Sequence, residues 1–264
     1  MTENYWTRHW NRKRISRRAL LKGTAAGAAG AGALMVVGCG DDDDDDSGTL
    51  PLSERPTDGG QYSYHRNLTG ATLDMHRELY PGRGEMLSLA YNSLIAWDEI
   101  EKATLRGEIA QGVPEQPDGV TYTFKIRDDV KYHNKPPANG RTMTMEDVRW
   151  NIERQREQTL VDGTATEDFY RHGAIYQYIS NVDYIDNETF TITLDKPSVL
   201  WLSEMADRFN IINDRETAEA IELDFAVTDP RFILGTGPYV FEEYNLDTRA
   251  RATRHPDYFL KKSG

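Results

Sequence analysis

The chain has 264 residues, 28% of them charged, and its 43 Asp and Glu outweigh 31 Lys and Arg to give a formal net charge of -12. An acidic balance of this size excludes a surface that holds nucleic acid or anionic lipid by charge. Its single cysteine, Cys39, excludes an intrachain disulfide and any Cys-clustered metal or redox centre.

Residues 1–38 have the three-part order of a secretory signal: a basic start, an apolar stretch and small residues at the end. The stretch from Gly23 to Val37 is mostly Ala and Gly, too short and too weakly apolar to span a membrane well. Weak hydrophobicity behind the Arg17-Arg18 pair resembles the twin-arginine class of export signals, a route for proteins already folded. Val36-Val37-Gly38-Cys39 resembles a lipobox, which implies that Cys39 becomes the first mature residue and carries lipid on its sulfur. Six aspartates, Asp41 to Asp46, follow at once; like charges repel and stay solvated, so residues 39–58 read as an extended, lipid-anchored spacer. Residues 1–38 hold seven Lys and Arg and one Glu, so the mature part stands at about -18.

The body then reads in order. Gly59 to Leu68 alternates as an opening strand, and Thr72 to Met75 leads into a loop with Pro81, Gly82 and Gly84. Glu85 to Ala96 has helical spacing at Met86, Leu89, Ala90 and Ile95. After the Asp118-Gly119 turn, Val120 to Ile126 alternates as a strand, and Val130 to His133 reads as a short second one. Thr144 caps a helix that opens on Glu146 and Asp147, carries Val148, Ile152 and Gln155 on one side, and runs to about Arg156. Residues 158–168 are loop-like. Val182 to Ile185 and Thr189 to Leu194 form a hairpin about Asn187; Pro197 precedes a helix near Val199 to Ala206; Gly235 to Tyr244 and Thr248 to Arg254 are strands. Tyr122, Phe124 and Ile126, spaced by two, belong to a core. The histidines lack metal spacing. Glu146 and Asp147, adjacent on a helix, point apart and are ordinary helix-start acids rather than a catalytic pair. No hydrolase, zinc-protease or phosphate-loop motif occurs, so neither an enzyme nor a cofactor is implied.

Four blocks, in order, resemble the extracytoplasmic solute-binding proteins of peptide and nickel ABC importers: Leu89 to Ile95; Asp118 to Val148, with Tyr122-Thr123-Phe124 and Lys131-Tyr132-His133; Asp186 to Pro197; and Gly235 to Tyr239 with Arg254 to Tyr258. The turn from Asn134 to Arg141 is longer than the family's, and the chain stops at Gly264, where members continue into a second lobe. The resemblance implies an α/β fold, a periplasmic-binding-protein-like lobe with a mixed sheet and helices. Residues 59–80 and 181–264 would build this partial lobe, residues 81–180 a smaller inserted α+β domain, and the second lobe would be missing. By the same resemblance His133 closes a turn, and Gly235 and Gly237 admit close backbone approach. It further implies a protein that grips a peptide or similar small solute without altering it, and docks on ABC permease subunits at the outer face of the cytoplasmic membrane. By location within the family, Glu78, Tyr80, Phe169, Tyr170 and Tyr176 lie near the ligand. A twin-arginine-exported enzyme and a ligand-sensing receptor subunit stay open as rival readings.

Overall fold

The computed structural model describes residues 59–63, 72–77, 81–99, 101–223, 229–245 and 248–260. The chain divides into two compact units, residues 1–61 and 62–264, and the elements below belong to the second. The export segment with Arg17 and Arg18, Cys39, the aspartate run, Glu78 and Tyr80 lie outside the described residues.

A three-stranded antiparallel sheet forms the centre, in the order β3 (Thr121–Lys125), β5 (Thr189–Leu194), β4 (Ile179–Tyr184). Its register explains its sequence. Tyr122 and Val182 both oppose Ile192, and Phe124 and Tyr184 both oppose Phe190. Every apolar side chain of β3 and β5 is therefore on one face, and the threonines between them are on the other. Phe124 stacks on Phe190 with ring centroids 5.1 Å apart, and Tyr184 follows at 6.0 Å. Phe124 and Phe190 are fully buried, which stabilises the fold by about 2 kcal/mol each. The sheet joins strands from both sides of the 180/181 boundary expected from the sequence.

Helix α2 (Met145–Glu157) covers this core with Val148 and Ile152. It starts where expected: the Asp147 carboxylate accepts the Thr144 N–H at 2.8 Å and the Thr144 hydroxyl at 2.9 Å, satisfying groups that a helix end would leave bare. Gln158, in the left-handed region with φ 50°, ends it. Trp201, in the short helix α3 (Trp201–Met205), is buried against Tyr122 at 4.6 Å and donates its indole N–H to the Ile175 carbonyl.

Several expectations give way. Pro81, Gly82 and Gly84 do not form a loop but open helix α1 (Pro81–Leu87), where the missing proline N–H costs nothing in a first turn. That helix tightens into a 3-10 turn at Ser88–Ala90, and Ile95 begins strand β1 (Ile95–Glu99), paired with β2 (Thr104–Gly107), where the helix was expected to run on to Ala96. Val130 to His133 contributes a single bridge, Lys131 to Thr142, instead of a strand. Of the opening strand expected over 59–68, residues 59–63 carry no regular element and residues 64–68 lie outside the described residues. Helix α4 (Arg215–Leu223) is an addition, and the last hairpin is β6 (Tyr239–Asn245) with β7 (Arg249–Arg254).

The four blocks meet in space. The third pairs with the second along β5 and β3. In the fourth, Gly237 donates its N–H to the Ala90 carbonyl of the first, and a Cβ on Gly237 would lie 2.4 Å from Ala90 C and Tyr91 N. No side chain fits there. His133 of the second block closes the junction: its N–H reaches the Gly235 carbonyl at 2.9 Å, its Nε2 the Gly237 carbonyl at 3.0 Å, and its own carbonyl accepts Lys135 and Gly140. The turn-closing role expected of His133 holds.

Candidate functional site

A second apolar cluster lies beside the sheet core. Leu73 and Met75 pack there with Leu87, Phe209, Ile211, Ile221 and Phe241. The segment that brings them, residues 72–77, is a compact turn fixed by its own polar groups. The Thr72 hydroxyl accepts the Asp74 N–H, Asp74 Oδ1 accepts the His76 N–H, and the Asp74 carbonyl accepts the Arg77 N–H.

With Leu73 and Met75 in the apolar cluster, Asp74 and His76 turn to α2 and meet Arg154. Its guanidinium donates to both Asp74 oxygens, at 3.2 Å and 2.5 Å, to Glu222 of α4, and to His76 Nδ1 at 3.0 Å. It also lies 4.9 Å from the Phe169 ring centroid. Asp74, His76 and Arg154 are all buried. A cation so deep in the fold is tolerable because two carboxylates and an imidazole lone pair surround it. Burial opposes the ionisation of Asp74, yet the Arg154 charge and hydrogen bonds outweigh it and hold the carboxyl below its ordinary value. For His76, burial and then the Arg154 charge push the pKa down to about 4, against the pull of Asp74. The ring is neutral with its proton on Nε2, which donates to the Ile211 carbonyl at 2.9 Å.

This cluster fixes the position of the aromatic stretch. The Tyr170 N–H donates to the His76 carbonyl at 3.0 Å, and Arg77 pairs with Asp168 at 2.9 Å. The 72–77 turn is thus a neighbour of Tyr170, one of the residues assigned to the ligand region from sequence. Of the aromatic candidates Tyr170 is 46% exposed, with its ring edge-on to Phe209 at 5.9 Å and the Arg171 guanidinium 5.7 Å from its centroid. Phe169 is buried beneath Arg154, and Tyr176 is buried with its hydroxyl accepting from Gln155 at 2.8 Å. These two rings pack behind the surface that Tyr170 presents.

Arg154, His76 and Glu222 were not singled out from sequence. The available signal was the inward stripe of α2, where Asn151 and Arg154 stand three and six residues beyond Val148. A cleft of about 410 Å³ opens nearby between β1 and residues 206–211, lined by Tyr91, Asn92, Trp97, Glu108 and Arg208. Its two acids are already engaged: Glu108 accepts the Ser93 N–H at 3.0 Å and Arg106 at 2.8 Å, and Asp207 accepts the Phe209 N–H at 2.8 Å. Among the described residues no group of three His, Cys, Asp or Glu side chains could hold a metal ion, and no helix is long and apolar enough to cross a membrane.

An α/β unit of this kind, with short antiparallel sheets, a capped covering helix and a glycine-threaded junction, is the fold of a periplasmic binding protein. It superposes on the peptide-bound ABC transporter-associated periplasmic binding protein DppA from Helicobacter pylori with a TM-score of 0.60 at 21% identity, covering 73% of this chain and 38% of that one. The family model described as bacterial extracellular solute-binding proteins, family 5 Middle, matches residues 104–263, and the chain belongs to that family. The dipeptide-binding protein of Escherichia coli is 31% identical over 167 residues, 59% of this chain and 31% of the relative. Heme-binding protein A of Haemophilus influenzae is 26% identical over 176 residues, 64% of this chain and 32% of the relative. The chain spans about a third of the length of these curated relatives.

Proposed function

We propose that this protein captures peptides or similar small solutes outside the cytoplasm and passes them to the permease of an ABC importer. The observation that carries the reading is the juxtaposition of the 72–77 turn with the exposed Tyr170 ring. The turn is buried, with its backbone groups spent on its own fold and on the Tyr170 N–H, and the ring it positions is 46% exposed. Extended peptides are held by main-chain hydrogen bonds for affinity and by roomy pockets, with aromatic walls, for side chains. Glu78 and Tyr80 are further ligand contacts of this reading, with Phe169 and Tyr176 buried in support of it. The dipeptide-binding relative supports the solute class. Residues 59–80 and 181–264 would act as one lobe, to which the expected 81–180 insertion is joined through the β3–β5 pairing.

The reading includes export through Arg17-Arg18 and attachment through lipid on Cys39, which would hold the acidic spacer and the body at the outer face of the membrane. Capture involves no bond making, so the protein acts as a binder and not as an enzyme.

Calorimetric titration of the chain with di- and tripeptides tests the core of this. Saturable binding, weakened about tenfold or more by Tyr170→Ala, is expected. Peptide hydrolysis by the purified chain, or binding indifferent to Tyr170, would overturn it. Mass spectrometry of the membrane fraction should find a diacylglyceryl group on Cys39, and Cys39→Ser should release the protein from that fraction.

A further inference from the structure

His76 stands where the 72–77 turn, α2 and the Ile211 segment converge, with no room for a second ring proton. Arg154 Nη1 donates to Nδ1 at 3.0 Å, and Nε2–H donates to the Ile211 carbonyl at 2.9 Å. Both nitrogens are committed, one as acceptor and one as donor, and that pattern exists only in the neutral ring. The groups that face it are Asp74 from its own turn, Arg154 and Gln155 from α2, Glu222 from α4 across Arg154, and Tyr176 behind Gln155. The charged group in direct contact with the ring is Arg154. A proton on Nδ1 would set N–H against N–H and cation against cation in a buried site. The His76 backbone meanwhile supplies the carbonyl that holds the Tyr170 N–H.

We propose that His76 is the positioning residue of the solute-facing wall and a proton-operated latch, releasing the 72–77 turn and Tyr170 when it gains a second proton. Solute is then retained at neutral pH and shed on acidification. The solute consequence rests on the function proposed above; the latch itself does not. Burial and the Arg154 charge, which push the ring's pKa down to about 4, keep the latch shut through the neutral range.

The test is amide hydrogen exchange on the full chain, with the intrinsic pH dependence of exchange divided out by comparing the Tyr170 amide with that of Phe190 in the sheet core. Tyr170 protection is expected to fall about tenfold or more relative to Phe190 between about pH 6.5 and about pH 4. In His76→Gln, whose amide can accept from Arg154 and donate to Ile211 without titrating, the fall should vanish. An equal fall in His76→Gln, or none in the native chain, overturns the latch. Should that variant not fold, NMR titration of the His76 ring in the native chain decides. Its midpoint must coincide with the exposure of Tyr170, and a separate midpoint overturns the proposal. Peptide binding is measured apart from both, so a chain that latches but takes no peptide refutes the capture reading alone.

Discussion

The two apolar clusters of this protein are held together in different ways. The sheet core is made by alternation: Phe124, Phe190 and Ile192 face inward because every second residue of a strand does, and the pairing partners are apolar too. The cluster around Leu73, Phe209 and Ile221 has no such rule. It is closed by a buried cation on α2, by acids from the 72–77 turn and α4, and by glycines pressed against the Ala90 carbonyl. The first arrangement follows from local periodicity. The second requires several distant segments to be correct at once, and it is the one that carries the exposed aromatic.

The sharpest way to break this contrast is Arg154→Met. It strands Asp74 in the interior with its charge unmatched, and should cost about 4 kcal/mol in urea unfolding. Replacing Asp74 and Glu222 by Leu together with Arg154→Met should recover most of that stability while leaving Tyr170 mispositioned; recovery of peptide binding as well would show that the charges hold nothing in place. Next is Gly237→Ala, whose Cβ meets backbone atoms that cannot yield, with an expected loss of about 3 kcal/mol. Acid should act on the same cluster. His76 and His133 are neutral in the fold, with pKa values of about 4 and about 3, against an ordinary value of 6.5. For His133 the chief cause is burial. The unfolded chain therefore binds more protons, and the stability these two groups contribute is complete above about pH 6.5 and declines as pH falls toward those lower values. Thermal melts across that window should show a slope that His133→Gln and His76→Gln reduce. Smallest is Thr144→Ala, which removes one cap partner of α2 for about 1 kcal/mol without touching either cluster.

Legibility in the sequence follows the same division. Strands β3 and β5, the hairpin to β4, the cap at Thr144 and the final hairpin were readable because their signals are confined to a few neighbouring residues. The α1 helix was not, since Pro81, Gly82 and Gly84 look like turn chemistry until Gly84 is seen beneath the Phe209 ring, where a Cβ would come within 2.1 Å. Strand β1 was hidden inside apolar spacing that also suits a helix. At the site, Tyr170 was singled out by family resemblance, whereas its neighbour, the 72–77 turn, was not, and Arg154 and His76 carry no local mark. A charged residue on a helix reads as solvent-facing until its partners, 68 and 80 residues away, are known.

The meeting of Ala90, His133 and Gly237 sets a clock on the protein's birth. Its three backbone segments lie far apart in the sequence, so residues 90 and 133 must wait until residue 237 has left the ribosome before that crossing can form. An emerging polypeptide would complete the Phe124–Phe190 sheet first and wait for residues 235–237 to close the junction.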